Sequence, residues 1–187
     1  MISTEEAAEA LKEVAVTEKR SAEAYNYSQA VPYCFVWSAV WFLGYGAEAL
    51  VPRDHPAWMW IGWWWLVLSM TGALASTIIG HRQNARRPGK TWRMGALFGI
   101  IWLFTLALFA VIRPQDDLQV GAYFPLLFSA IYSAVGLWLG LRYVFVGVFV
   151  GVATLGAYFY LREYFFHWMA LVGGGSLLLT GLWMRKA

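Results

Sequence analysis

Between residues 31 and 184 the chain is a succession of six apolar runs, each 19 to 24 residues long. A helix needs about 20 apolar residues to cross about 30 Å of hydrocarbon. Within lipid every backbone N–H and C=O must be satisfied inside the chain, and a helix does this segment by segment. The runs cover 31–50, 57–80, 94–112, 120–140, 143–161 and 164–184. The fold class expected is therefore an all-α integral membrane protein, a compact bundle of six transmembrane helices preceded by a cytoplasmic N-terminal helix. Charge content agrees, since only 13% of residues are charged where a soluble domain has about a quarter.

One loop sets the orientation. Residues 81–93 hold Arg82, Arg86, Arg87, Lys90 and Arg93 and no acidic residue. Cytoplasmic loops collect Lys and Arg. With this loop inside, the N-terminus, the 141–142 turn and the C-terminal Arg185 and Lys186 are inside as well. That side then carries eleven basic residues, against Arg53, Arg113 and Arg162 on the other. Both termini are expected to be cytoplasmic, in a bacterial-type inner membrane.

Residues 1–30 read differently. Ser3 and Glu6 fit an S-x-x-E capping box, and strong helix formers follow. Six glutamates oppose Lys12, Lys19 and Arg20, a net charge of −3. The segment has neither the basic face nor the bulky apolar side chains of a membrane-lying helix, so it is expected to project into the cytosol. It has no apolar core of a signal peptide.

Three patterns speak to packing. All six prolines fall, by this reading, in loops or near a first helical turn, where a missing N–H costs little. Trp58, Trp60 and Trp168 are placed near the outer interface, and Trp92 and Trp183 near the inner one, because their rings favour that depth. The run Trp63-Trp64-Trp65 covers too much of a helix to face one way only. Small residues at four-residue spacing (Gly72/Ser76/Gly80, Gly95/Gly99, Gly136/Gly140 and Gly147/Gly151) predict close helix contacts.

Residues able to carry chemistry are few. Gly173-Gly174-Gly175 falls at the middle of the last run. It reads either as a smooth contact face or as an interrupted point on a solute path, together with Glu48, Tyr132 and Ser133. Glu48 is the one carboxylate inside a span, near its outer end, and intramembrane ionisable groups tend to be functional. Asp54, His55, Glu163 and His167 gather on outer loops, and imidazole with carboxylate can hold a divalent metal, but no ligand spacing supports it. Cys34, the single cysteine, excludes an intramolecular disulfide. No cofactor is expected.

The acidic helix and the basic loop make a docking surface, with Glu9 and Glu13 opposite Arg82, Arg86, Arg87, Lys90 and Arg93. The partners expected are membrane lipid and either a cytoplasmic protein or a second copy of the chain, with no nucleic acid. The function expected is a non-enzymatic membrane protein acting through protein contacts, as a regulator or assembly component. Two alternatives stand beside it: a carrier or channel for a small neutral or apolar solute, and a membrane enzyme or metal- or cofactor-holding protein.

Overall fold

The computed structural model describes residues 4–84 and 91–186, and every regular element among them is helical. In order they are α1 (Thr4–Leu50), a 3-10 turn (Pro56–Trp60), α2 (Ile61–Asn84), α3 (Thr91–Ile112), α4 (Asp117–Leu139) and α5 (Leu141–Tyr160). The last rod runs from a 3-10 turn (Arg162–Tyr164) through α6 (Phe165–Trp168) and a π-helical stretch (Met169–Gly174) into α7 (Gly175–Met184). Six helical rods result. Five of them are long and apolar enough to cross a membrane, and α3 is apolar over Gly99–Ile112.

The first correction to the sequence reading concerns proline. Pro32 and Pro125 do not mark helix starts; they lie inside α1 and α4. The projecting segment and the first span are consequently one helix of 47 residues. A proline inside a helix leaves the carbonyl four residues earlier without its N–H. At Pro125 that carbonyl belongs to Gly121, and the Tyr45 hydroxyl of α1 donates to it at 2.7 Å. The lost rung is thus replaced by a bond between helices.

Helix α1 is the centre of the assembly. On one side it meets the small face of α2. A methyl group at Gly72 would lie 3.0 Å from Val40, and one at Gly80 would lie 3.1 Å from the Tyr33 hydroxyl. Between them the Trp37 indole donates to Ser76 Oγ at 3.2 Å. On another side α1 meets the last rod, where a methyl group at Gly174 would lie 3.1 Å from the Phe42 backbone nitrogen. The Ser38 hydroxyl donates to the Gly174 carbonyl at 2.7 Å, and Ser176 donates to that of Gly173 at 2.9 Å. The π-helical stretch is therefore held at its end by two serines, a usual way to satisfy carbonyls where the ladder changes pitch.

Helices α4 and α5 form an antiparallel hairpin whose connection is a single residue, Gly140. Its φ of 136° lies in a region that favours glycine, and the Tyr27 hydroxyl occupies the place a side chain would need. Farther along, Ser129 donates to the Gly147 carbonyl at 2.8 Å. Three of the four expected small-residue faces thus lie at interfaces. In the fourth, Gly99 faces open space, because α3 meets the rest through side chains instead. Its Thr105 bonds Tyr123 at 3.0 Å, and its Trp102 and Phe109 pack on Tyr123 and Phe124 of α4. The buried core centres on Trp41, Tyr45, Val150, Phe165, Phe166, Met169 and Leu177. Trp65 joins it against Tyr45, while Trp63 and Trp64 point outward.

Candidate functional site

The bundle has two chemically distinct ends, and the first N-terminal turns of α1 extend beyond one of them. Residues 6 and 8–22 of α1 are all exposed, Leu11 at 71% and Val14 at 53%. The helix begins to bury side chains only at Tyr27, whose hydroxyl meets the Arg142 backbone and whose ring lies 5.0 Å from the Arg142 guanidinium. Arg142 also stacks on Trp183 at 4.8 Å and donates to the Trp183 carbonyl at 2.9 Å. This cluster ties α1, the hairpin turn and the end of α7 together. The sequence reading missed it and put Arg142 in a two-residue turn, whereas Gly140 alone makes the turn and Arg142 lies in the first turn of α5.

At the same end Gln83 of α2 donates to the Gln29 carbonyl at 3.1 Å and accepts from Tyr33 at 3.2 Å. That places Arg82, exposed, beside the Gln29 level of α1. Glu9 and Glu13 lie 20 and 16 residues farther up the helix, roughly 30 and 24 Å along its axis. The structure therefore does not bring Arg82 to Glu9 or Glu13. Arg86, Arg87 and Lys90 lie outside the described residues, and Arg93 lies in α3 with its side chain outside them.

The opposite end carries two ion pairs, Arg162–Asp116 at 3.1 Å and Arg53–Asp117 at 3.6 Å. Arg53 also lies over the rings of Trp58 and Phe166, and Arg162 over Tyr158. These pairs were legible in part, since the topology puts all four residues on one side. Just inside them sits Glu48, whose Oε2 is buried with no hydrogen-bond partner. The Trp65 indole approaches the same carboxyl as a donor. The four metal candidates stay apart. Asp54 and Glu163 are exposed, the His55 ring caps the 3-10 turn by accepting from the Ala57 N–H at 3.1 Å, and His167 packs edge-on to Tyr164. Among the described residues no three His, Cys, Asp or Glu side chains gather as a metal site.

The proposed solute-path residues also separate. Gly173 and Gly174 are buried against α1, and a methyl group at Gly175 would meet nothing within 4 Å. Ser133 lies in the α4–α5 interface beside Gly147. Tyr132 lines a cavity of about 170 Å³ near the Arg142 end, together with Cys34 of α1, Tyr143 and Val146 of α5, and Leu177 and Thr180 of α7. Sequence periodicity could not reveal this space, because its walls come from four helices.

Against known proteins, the chain matches no family model, no curated protein and no solved structure.

Proposed function

We propose that this chain is a multi-pass membrane protein with both termini on the cytoplasmic face of a bacterial-type inner membrane. In this reading it is not an enzyme; it acts as a regulator or assembly component, and the N-terminal part of α1 is the contact arm. One observation carries the proposal: residues 6 and 8–22 form a continuous helix whose described side chains are all exposed. Isolated helices of this length are marginal in water, so a helix held out from the bundle gains most of its stabilisation by packing on something else. Leu11 and Val14 lie at helical spacing with Ala7, giving a narrow apolar stripe edged by carboxylates. A narrow stripe of that kind suits a groove with a basic rim, and electrostatic complementarity would set the approach.

The test places a photo-activatable residue at Leu11 or Val14 of the full chain in native membranes. The expected result is a discrete adduct with another protein or with a second copy. Adducts with lipid alone, or none, at both positions would overturn the proposal.

The carrier reading draws on one feature, the cavity beside Tyr132. Against it, Gly173 and Gly174 are spent on contact with α1.

A further inference from the structure

The cavity between α1, α4, α5 and α7 has a specific polar balance. Three hydroxyls on its wall have committed their protons. Tyr33 donates to Gln83 at 3.2 Å, Tyr143 to the Asn26 carbonyl at 3.1 Å, and Thr180 to the Ser176 carbonyl at 2.7 Å. Tyr132 differs. Its ring is stacked 6.4 Å from that of Tyr143, and among the described residues its hydroxyl has no hydrogen-bond partner. Cys34, Val146 and Leu177 supply apolar wall.

We propose that this cavity is a binding site for one small neutral molecule, a compact ring bearing a single hydrogen-bond acceptor that takes the Tyr132 proton. Size, charge and donor count each narrow the choice. An apolar cavity of about 150 Å³ holds one benzene-sized ring, so about 170 Å³ admits a ring with one small substituent. A whole acyl chain or a fused-ring lipid is larger than this volume. No charged side chain lines the space, and a charge moved there would lose its hydration without a partner. Two guanidiniums adjoin wall residues in sequence: Arg142 is engaged by Tyr27 and Trp183, and Arg185 is exposed. Among the described residues the Tyr132 hydroxyl is the wall hydroxyl whose proton is uncommitted, and a ligand acceptor would take it. The site stands independently of the contact arm.

Cyclohexanone is a suitable probe, with one ring and one carbonyl. Its binding to the full chain in lipid nanodiscs can be followed by saturation-transfer NMR. A saturable signal is expected. Tyr132→Phe keeps the ring and removes the donor, and should weaken binding about fivefold, the value of one ordinary hydrogen bond. Val146→Trp fills the space and should abolish the signal, while Val152→Trp on the exposed face of α5 should leave it unchanged. Ala30→Leu fills the same cavity from α1 and serves if Val146→Trp does not fold. A signal that grows without saturating, or that survives both filled variants, would overturn the site. So would equal affinity for wild type and Tyr132→Phe, which would deny the named chemistry.

Discussion

The Tyr45 hydroxyl stands 2.7 Å from the Gly121 carbonyl, the one carbonyl of α4 that Pro125 deprives of its helical N–H. Two helices are thereby joined at the point where one of them is incomplete. The bond is buried, so no solvent can replace it.

Tyr45→Phe should accordingly destabilise the protein by about 0.5–2 kcal/mol, the range for buried hydrogen bonds in water and in membranes. Pro125→Ala restores an N–H to Gly121. In the Pro125→Ala background, Tyr45→Phe should cost clearly less. Reversible unfolding in mixed detergent, run as a double-mutant cycle, measures both. Equal costs in the two backgrounds would mean that the proline does not create the need for Tyr45.

The triple glycine should respond position by position. Gly174→Leu pushes a side chain into the Phe42 backbone and should cost about 1–3 kcal/mol, as overpacking does. Gly175→Ala meets nothing within 4 Å and should be neutral or stabilising by up to about 1 kcal/mol, the helix preference of Ala over Gly. Thermal unfolding in detergent separates them. A tolerated Gly174→Leu would show that the two helices are not in close contact.

Asp116 has two roles that can be told apart. It caps α4 by accepting from the Gln119 N–H at 2.7 Å and pairs with Arg162 at 3.1 Å. Asp116→Ala should cost about 1 kcal/mol for the cap. Arg162→Ala removes a half-exposed ion pair and the contact with the Tyr158 ring, and should cost about 1 kcal/mol or less. High salt should shrink the effect of Arg162→Ala and leave most of that of Asp116→Ala.

Removing residues 4–20 should leave bundle stability within about 0.5 kcal/mol, as for surface changes away from packed groups. Their described side chains are exposed. Unfolding of the shortened and full chains in the same detergent checks this. A large loss would mean that the arm folds back onto the bundle.

Much of this architecture could be read from the residues because long apolar helices are legible in run length and small-residue spacing. The runs at 57–80 and 143–161 lie close to α2 and α5, and Gly72, Ser76 and Gly80 do line the contact with α1. The errors share a cause. Proline was read as punctuation, which is its local effect, but Pro125 sits where a tertiary partner, Tyr45, removes the penalty. The sequence reading also ends an element before residue 31, although no glycine or proline in Asn26-Tyr27-Ser28-Gln29 stops the helix, and α1 continues through it. Glu48 was noticed as a lone intramembrane carboxylate. The Tyr132 cavity was not, because a space lined by Cys34, Tyr132, Val146 and Thr180 exists only once four helices are side by side.

The length of α1 has an electrical consequence. At physiological salt a charge is screened within about 8 Å. Glu13 stands roughly 24 Å along the helix from Gln29, about three such lengths from the end where Arg82, Arg142, Arg185 and Lys186 collect. Glu9 and Glu13 and the basic end are therefore almost invisible to one another through solution. Whatever approaches Glu9 and Glu13 meets a negative surface unmodified by the positive one below it, and the two can select their partners separately.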